Sequence, residues 1–466
     1  MQQFDLIVLG GGAGAFAAAI AANEAGTKVA MVNAGLPLGG TCVNVGCVPS
    51  KTLLKIGEIA YYGNHGFDAI SGKLEVNFEK AIEHELNIVE KMRHDKYSEV
   101  LSNLENVTHF EGKAKFVSKN EIEVNGQRLC GDKFVIATGS TALPTPLEGL
   151  DKVDYITHID ALKLKKLPKS MVIIGAGPLG LEFGQMYHHF GTKVTILQRG
   201  PTVMARTEPE LSEALQKYLE DEGVSIFTNA NSKKVRKENG EKVVTFEVDG
   251  REMEAKGEIL MFAAGKTPNT KELDLDKVGV EVNQKGAIKV GDNLQTTAPH
   301  VWAVGDVVDR PLRLETTAGK EGKIATENAL GGKKRKMDYS AVPYAVFTTP
   351  NLAGVGKTDA EAVSGGSRCT CNTLGFDMVP KAAIINDTRG LIKIVAERES
   401  HKIIGIHILG PEAADLIHEA TMIVRNKMTL EDVIDTVHVF PTLSEVIKLA
   451  AQNFFRDVSK LSCCVE

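Results

Sequence analysis

Two glycine-rich turns constrain the fold of this chain more than any other feature. The first, GGGAGA at residues 10–15, follows a β-like run and precedes an alanine-rich helix and a second β-like run. In this setting Gly10, Gly12 and Ala15 match G-x-G-x-x-G/A, a pattern that allows a tight turn, close approach of the backbone to a pyrophosphate, and packing of helix on strand. The unit therefore predicts a dinucleotide-binding domain.

The second turn, GAGPLG at residues 175–180, has the same setting and supplies Gly175, Gly177 and Gly180 for the same pattern. Two dinucleotide folds in one chain imply two dinucleotides and electron transfer between them. After residue 338 the chain reads as strands followed by helices, without a nucleotide motif, which is typical of an α+β domain. The predicted fold class is α/β, with two Rossmann-like dinucleotide-binding domains and a C-terminal α+β domain.

In such units an acidic residue after the second strand usually binds the ribose. Asn33 takes this place in the first unit and can still bind a hydroxyl, without the charge. Gln198 takes it in the second unit, with Arg199 next and Arg206 after a turn. Because no carboxylate would repel a 2′-phosphate, and arginine binds phosphate in a bidentate manner, the second unit is predicted to bind NADPH. The alternative is that both arginines are surface residues of a loop.

Two other positions suit a ligand. Thr138 and Gly139 end a buried strand, where the backbone could approach a bound molecule. A later strand ends in Gly305-Asp306, which places a carboxylate where a ribityl hydroxyl could be held. On its own, Gly-Asp is also a common turn.

The stretch GGTCVNVGCVPSK, residues 39–51, contains two cysteines whose spacing does not match a zinc site. If the stretch is helical, five residues rise about 7.5 Å, beyond the roughly 7 Å Cα limit of an unstrained disulfide, so the first turn must be distorted. Gly46 and Pro49 favour that distortion. A disulfide between Cys42 and Cys47 would be easily reduced, and a helix N-terminus would favour the thiolate. The alternative is two unpaired core cysteines.

Composition excludes several classes. The chain has 466 residues, enough for two to four domains, and a net charge of −6, with one short basic run at residues 333–336 that indicates a solvated loop rather than a nucleic-acid site. No apolar run approaches the ~20 residues of a membrane span and the N-terminus has no positive n-region, so a cytoplasmic protein without a membrane partner is expected. Seven cysteines, an odd number, argue against a structural disulfide framework.

Taken in order, these motifs resemble the FAD-dependent pyridine nucleotide–disulfide oxidoreductases over nearly the whole chain. The stretch from Val342 to Gly356 looks like the start of that family's dimerisation domain. The resemblance implies an FAD-binding domain at 1–150, an NADPH-binding domain at 151–270, a return to the first domain at 271–338, and a dimerisation domain at 339–466. The residues predicted to contact the cofactors are Gly10, Gly12, Ala15, Asn33, Thr41, Thr138, Gly139 and Asp306 for FAD, and Gly175, Gly177, Gly180, Gln198, Arg199 and Arg206 for NADPH.

Within the family, two features are similar to the mercuric reductases. Cys463 and Cys464 lie side by side near the C-terminus, and Phe440-Pro441 stands where disulfide-reducing relatives carry His-Pro. A disulfide reductase must protonate the thiolate it releases, so it needs a histidine as acid–base, whereas reduction of a thiolate-bound metal ion needs no such proton. Adjacent thiols also suit soft, exchangeable cations.

The resemblance implies electron flow from NADPH through FAD to the Cys42/Cys47 couple, and reduction of Hg(II) to Hg(0). Cys47 would face the flavin and Cys42 would be the outer, exchanging thiol, while Lys51 and Glu182 match the family's ion pair beside the flavin and nicotinamide. The predicted metal ligands are Cys42, Cys47, Cys463 and Cys464. The substrate would arrive as Hg(II) thiol complexes, and the tail of one subunit would reach the redox cysteines of the other in a homodimer with shared active sites.

Two alternatives remain. Thr442, Ser444 and Glu445 still match disulfide-reducing relatives, so the chain could be a lipoamide-dehydrogenase-like enzyme with His438 as a displaced base. It could also be a thiol protein that sequesters metal and retains only the fold. Cys369 and Cys371, which could bind metal, are interpreted as small core residues of a strand, and Cys130 receives no role.

Overall fold

The hydrophobic runs beside the two glycine-rich turns form parallel strands. The computed structural model describes residues 2–310 and 312–462. The strands are Gln2–Leu9 (β1), Val29–Asn33 (β2), Val107–Glu111 (β3), Ala114–Ser118 (β4), Glu121–Val124 (β5), Gln127–Ile136 (β6), Ser140–Ala142 (β7), Ser170–Ile174 (β8), Lys193–Leu197 (β9), Ser225–Phe227 (β10), Asn231–Glu238 (β11), Glu241–Val248 (β12), Arg251–Gly257 (β13), Ile259–Phe262 (β14), Lys266–Pro268 (β15), Val301–Ala303 (β16), Tyr344–Val346 (β17), Asn351–Gly356 (β18), Cys369–Gly375 (β19), Leu391–Glu397 (β20) and Ile403–Gly410 (β21).

Helices follow most of the parallel strands and cover their sheets. They are Ala13–Glu24 (α1), Gly40–Val45 (α2), Cys47–His65 (α3), Phe78–Arg93 (α4), Glu99–Ser102 (α5), His158–Ala161 (α6), Pro178–His189 (α7), Pro209–Glu222 (α8), Glu315–Gly331 (α9), Asp359–Ser364 (α10), Pro380–Ile384 (α11), Ala413–Arg425 (α12), Leu430–Asp435 (α13) and Glu445–Gln452 (α14). A π-helical turn, His94–Ser98, joins α4 to α5. Among the described helices, none is long and apolar enough to cross a bilayer.

The chain divides into two compact units. Unit 1 comprises Met1–Thr52, Ile82–Leu143 and Gly265–Met337, and unit 2 comprises Leu53–Ala81, Pro144–Ala264 and Asp338–Glu466. The assignment of FAD to residues 1–150 and of NADPH to residues 151–270 stays a prediction.

The central sheet of unit 1 has the order β3-β2-β1-β6-β5-β4, with β16 also paired to β6. Strands β1, β2, β3, β6 and β16 pair in parallel, and the register places Leu9 beside Ile136 and Ala303 beside Ile136, so the strands end at one edge. Apolar side chains are buried on both faces of this sheet, which explains the nearly continuous hydrophobic runs. Parallel strands present their ligand sites at this carboxyl edge.

Unit 2 contains a parallel sheet, β10-β9-β8-β14, an antiparallel sheet, β11-β12-β13, and a C-terminal antiparallel sheet, β17-β18-β21-β20-β19. Apolar residues of the C-terminal sheet pack with those of α12, α13 and α14 in one core, because α12 and α14 each carry an apolar stripe at helical spacing. The predicted α/β fold class with a C-terminal α+β domain is confirmed.

One detail of unit 1 differs from the sequence-based expectation. The alternation over residues 107–124 predicts hairpin strands, but only β4 and β5 form a hairpin there, while β3 pairs in parallel with β2.

Candidate active site

Both glycine-rich turns have the backbone that close approach of a dinucleotide requires. Gly10 has φ +134°, and a Cβ there would lie 2.3 Å from the carbonyl oxygen of Ala137. Gly175 has φ +111° and is similarly crowded by Ala263. Within the described residues, no side chain caps the first turn of α1 at Gly12 or of α7 at Gly177. The N–H groups at these two helix starts are therefore placed to bind a phosphate.

Asn33 packs directly over the first turn. A Cβ on Gly11 would lie 2.2 Å from Asn33 Oδ1, and Asn33 Nδ2 donates to the carbonyl oxygen of Leu36 at 3.0 Å. Asn33 Nδ2 also lies 3.5 Å from Glu111 Oε2, because β3 pairs with β2 and sets Glu111 beside Asn33. The neighbouring strand thus brings a carboxylate beside position 33, a contact that the sequence did not predict.

Thr138, Gly139 and Asp306 gather at the carboxyl edge of the same sheet. Thr138 Oγ1 donates to the carbonyl oxygen of Asn269 at 2.8 Å, and Asn269 Nδ2 donates back to the carbonyl oxygen of Thr138 at 2.9 Å. The Asp306 carboxylate accepts a hydrogen bond from Ser140 Oγ at 2.8 Å. Gly139 has φ +69°, and no atom in the described part of the chain lies within 4 Å of the position that a Cβ would take. The parallel register brings these residues to one edge, and their contacts fix the turn and the carboxylate, while their contact with a cofactor stays a prediction.

The predicted distortion between the two cysteines is confirmed. Helix α2 ends at Val45, Gly46 adopts φ −130° and ψ −110°, and α3 starts afresh at Cys47. A Cβ on Gly46 would lie 2.9 Å from the carbonyl oxygen of Thr41, so only glycine fits this break. The break brings the Sγ atoms of Cys42 and Cys47 within 4.8 Å of each other, and it places Cys47 at a helix N-terminus, where the helix dipole favours a thiolate.

The cysteine segment docks on the first dinucleotide turn. The Gly39 N–H donates to the carbonyl oxygen of Gly11 at 2.7 Å. Gly40 has φ +60°, and a Cβ there would lie 2.6 Å from Gly12 Cα. Asn44 Nδ2 holds the loop by donating to the carbonyl oxygen of Gly40 at 2.8 Å. The thiols therefore lie beside the turn that is shaped for a pyrophosphate.

This docking predicts that Gly40→Ala weakens both folding and flavin retention. The left-handed backbone alone costs about 1–2 kcal/mol with a Cβ, and the contact with Gly12 adds to it. Gly26→Ala is the matched control, since Gly26 has φ +69° but no atom of the described residues within 4 Å of the position that a Cβ would take. Thermal melting and flavin content after purification measure the effect. Equal losses in the two variants would contradict the close packing of Gly40 on Gly12.

Two residues that the sequence motifs did not indicate complete the thiol site. Cys47 Sγ donates to Glu315 Oε2 at 3.6 Å, and Tyr97 Oη donates to Glu315 Oε1 at 3.3 Å. Burial raises the pKa of Glu315, and burial together with the nearby Cys47 raises the pKa of Tyr97. One ligand atom from each of Cys42, Cys47 and Glu315 falls within a 4.8 Å group. The π-helical turn that carries Tyr97 is a frequent mark of functional sites.

Lys51 and Glu182 belong to different units. Lys51 lies one turn after Cys47 on α3 and is half-buried. Glu182 is buried on α7, where its Oε1 accepts the Phe347 N–H at 2.9 Å. Their predicted ion pair stays a prediction, as does a cofactor contact for Thr41, which is exposed on α2.

The Gln198 side chain forms hydrogen bonds with the backbone of the second dinucleotide turn and of the loop after β9. Its Oε1 accepts the Ala176 N–H at 3.1 Å, and its Nε2 donates to the carbonyl oxygen of Thr202 at 3.1 Å. Both ends of the side-chain amide thus position the loop. Arg199 and Arg206 are exposed beyond the same strand, β9. If a 2′-phosphate binds here, the arginines rather than Gln198 carry the charge for it.

In the C-terminal domain, His438 is engaged on both ring nitrogens. Nε2 lies 2.9 Å from Glu419 Oε1 and Nδ1 lies 2.9 Å from the carbonyl oxygen of Thr436. The hydrogen bond to Glu419 raises the pKa of His438. Val439 and Phe440 are 75% and 47% exposed. The predicted metal ligands Cys463 and Cys464 lie outside the described residues.

Comparison with known proteins agrees with this arrangement. Residues 4–322 match the pyridine nucleotide-disulphide oxidoreductase family, and residues 342–451 match its dimerisation domain. A mercuric reductase of Lysinibacillus sphaericus is 38% identical, covering 99% of this chain and 85% of that protein. A dihydrolipoyl dehydrogenase of Bacillus subtilis (strain 168) is 34% identical, covering 97% of this chain and 96% of that protein.

A solved structure shares the fold. The HOCl-induced flavoprotein disulfide reductase RclA of Escherichia coli superimposes with a TM-score of 0.87 at 28% identity, covering 96% of this chain and 99% of RclA. Flavin and pyridine nucleotide are the cofactors that the family implies. The family matches cover most of the chain, and the paired glycine turns and the thiol site lie within them. The chain therefore belongs to the pyridine nucleotide-disulphide oxidoreductase family of flavoenzymes.

Proposed function

We propose that this enzyme reduces Hg(II) to Hg(0) with NADPH, using FAD and the Cys42/Cys47 couple. The observation that carries the proposal is the break at Gly46, which holds two thiols within 4.8 Å beside the first dinucleotide turn. Two thiols at this separation can share one soft cation. Relatives named mercuric reductase, 34% to 38% identical over 98–99% of this chain, add support.

The residues of unit 1 fit FAD. Gly10 and Gly12 with the uncapped start of α1 would hold the pyrophosphate, Glu111 and Asn33 would face the adenosine ribose, and Asp306 would hold a ribityl hydroxyl. When bound, the flavin supplies two-electron transfer between the nicotinamide and the thiol site. In unit 2, the turn at residues 175–180 would bind the pyrophosphate of NADPH.

The chain's own side chains bind the metal ion and move protons. Cys42 and Cys47 would take Hg(II) from its thiol complex by exchange, so that each new Hg–S bond to cysteine replaces one Hg–SR bond and the cysteine proton leaves with RS⁻ as RSH. Glu315 Oε2 accepts the hydrogen bond of the Cys47 thiol and would relay the Cys47 proton to the departing RS⁻. The overall reaction balances as NADPH, Hg(SR)2 and H+ giving NADP+, Hg(0) and two RSH.

The active sites are proposed to be shared in a homodimer. The chain contains the family's dimerisation domain. On this domain the apolar residues Val437, Val439 and Phe440 are exposed, and exposed apolar surface is typical of a protein–protein interface. Cys463 and Cys464, on the tail of one subunit, would deliver the ion to Cys42 and Cys47 of the other.

The experiment adds a thiol complex of Hg(II) to the purified yellow protein and NADPH under anaerobic conditions. NADPH oxidation and trapped mercury vapour are measured together. One Hg(0) per NADPH consumed is expected. Protein that binds mercury without oxidising NADPH would instead be the sequestering thiol protein, and the proposal would be wrong.

The exposed arginines predict a preference for NADPH over NADH. A charged bidentate contact contributes roughly 1.5–3 kcal/mol, or about ten- to a hundredfold in kcat/KM. Arg199→Ala with Arg206→Ala should remove most of this preference and leave kcat/KM for NADH unchanged. Lys217→Ala, which removes an exposed cation of α8, is the control. Equal efficiency of the wild-type enzyme with both nucleotides would overturn the NADPH assignment.

The C-terminal thiols are predicted to act in capture rather than in reduction. The proposed delivery role involves neither flavin binding nor the nicotinamide, so Cys463→Ala with Cys464→Ala should leave flavin reduction by NADPH intact. Turnover of Hg(II) bound to bulky thiols should fall, while HgBr2 can still reach the inner couple.

Mixed dimers test the sharing of sites. Combining Cys42→Ala chains with Cys463→Ala/Cys464→Ala chains should restore one complete site per heterodimer. A tail variant with unchanged turnover for every mercury ligand would remove the delivery role.

A further inference from the structure

A second pair of thiols lies on the C-terminal sheet of unit 2. Cys369 and Cys371 occupy alternate positions of β19, so their side chains share one face of the sheet, while Thr370 between them faces the other way. The predicted strand is present, but both thiols are half-buried rather than core residues. Because both side chains are partly exposed to solvent, a small ion can reach this face.

Asp359 supplies a third donor from a different element. Its Oδ1 accepts a hydrogen bond from Cys369 Sγ at 3.2 Å, and one ligand atom from each of Asp359, Cys369 and Cys371 falls within a 4.8 Å group. For Zn²⁺, bonds of ~2.3 Å to sulfur and ~2.0 Å to oxygen at a tetrahedral angle would separate S and O by about 3.5 Å, and a larger soft ion would widen this separation. The observed 3.2 Å between Cys369 Sγ and Asp359 Oδ1 is close to that separation, so little movement is needed.

The backbone of Asp359 is held in place independently of the thiols. Asp359 is the first residue of α10, whose start is fixed by a capping box between Thr358 and Glu361. Its N–H donates to the buried Glu208 carboxylate at 2.7 Å. The backbone that carries this carboxylate is therefore fixed before an ion binds, which reduces the entropy lost when the ligand groups are ordered.

Charge also favours a cation here, because Asp359, Glu208 and Glu210 carry more negative charge than Lys393 offsets. Two thiolates, one carboxylate and a divalent ion sum to −1, and Lys393 Nζ lies 3.9 Å from Asp359 Oδ2. Lys393 already contacts Glu208 at 2.9 Å and Glu210 at 3.0 Å, so its ammonium is fixed beside the group. Soft thiolates with one carboxylate select soft or borderline cations over Mg²⁺ or Ca²⁺.

We propose that Cys369, Cys371 and Asp359 form a second binding site for a soft divalent cation such as Cd(II) or Hg(II). Binding replaces two S–H bonds by two S–metal bonds and releases two protons, with no electron transfer. This site belongs to unit 2, whereas the Cys42/Cys47 couple belongs to unit 1. A failure of this metal-binding proposal would therefore leave the proposed mercury reduction untouched, and the reverse also holds.

The test uses the full-length flavoprotein with Cys42, Cys47, Cys463 and Cys464 all changed to Ala, which leaves three of the seven cysteines. Reduced, anaerobic protein is titrated with Cd(II), and bound metal, the ultraviolet thiolate–cadmium band and released protons are measured. One Cd(II) per chain, with two protons released, is expected. Flavin content and thermal melting verify folding of each variant.

Further substitutions in that background identify the ligands. Cys369→Ser with Cys371→Ser should abolish the bound equivalent, and Asp359→Asn should raise the Kd about tenfold or more. Cys130→Ser and Thr370→Ala are matched controls that should change neither. Absence of bound Cd(II) in the background, persistence after loss of Cys369 and Cys371, loss with Cys130→Ser, or unchanged affinity with Asp359→Asn would each overturn the three-ligand site.

Discussion

Replacing either Cys42 or Cys47 with alanine is expected to lower Hg(II)-dependent NADPH oxidation by about 10⁴-fold or more, as loss of a catalytic nucleophile does elsewhere. Both thiols are held together by the break at Gly46 beside the first dinucleotide turn, so one thiol alone cannot hold the ion there. Flavin should still bind, because the groups proposed to hold it, among them the turn at residues 10–15 and Asp306, are unchanged. Steady-state rates with thiol-complexed Hg(II) measure the effect.

The matched control is Cys130→Ala, which removes a half-buried thiol of β6 in the same unit and should leave the rate unchanged. Anaerobic titration with NADPH gives a second readout. The Cys42 and Cys47 variants should consume less NADPH before the flavin is fully reduced, since the couple no longer accepts electrons. A Cys42→Ala enzyme with near wild-type turnover would contradict the assigned role of the couple.

Reduction of lipoamide or glutathione disulfide is expected to be slower than reduction of Hg(II) by about 10²–10⁴-fold, the usual contribution of a general acid–base. By the family resemblance, Phe440 stands where disulfide-reducing relatives carry histidine, and it has no titratable group. His438 is already engaged by Glu419 and Thr436. Phe440→His should raise disulfide reduction, whereas His438→Gln should have little effect.

The opposite pattern would favour the second candidate. Rapid lipoamide reduction by the wild-type enzyme, abolished by His438→Ala, would make the chain a dihydrolipoamide-dehydrogenase-like enzyme. That class remains a specific competitor because a dihydrolipoyl dehydrogenase is 34% identical over 97% of this chain.

Local rules predicted the parts of the site that lie within short segments. The glycine turns at residues 10–15 and 175–180 and the break between Cys42 and Cys47 follow from backbone sterics and helix geometry alone. The register of the parallel sheet then places Asp306 at the expected edge. These features depend on neighbours in sequence, so a single sequence is sufficient to predict them.

Contacts between distant segments could not be predicted in the same way. Glu315 is 268 residues from Cys47, and Glu111 reaches Asn33 only because β3 pairs in parallel with β2. The alternation of apolar and polar residues over 107–124 indicated strands. It did not indicate which strands pair, because alternation shows only which side chains share a face. The two backbone hydrogen bonds of the Gln198 amide are likewise not determined by residue type alone, and the predicted nucleotide contact of Gln198 stays a prediction.

The most direct measurement compares kcat/KM of the wild-type enzyme for thiol-complexed Hg(II), lipoamide and glutathione disulfide, with NADPH at one fixed concentration. The proposed function predicts that Hg(II) exceeds both disulfides by at least about 10²-fold, with one Hg(0) released per NADPH oxidised. A kcat/KM for lipoamide or glutathione disulfide equal to or above that for Hg(II) would contradict it.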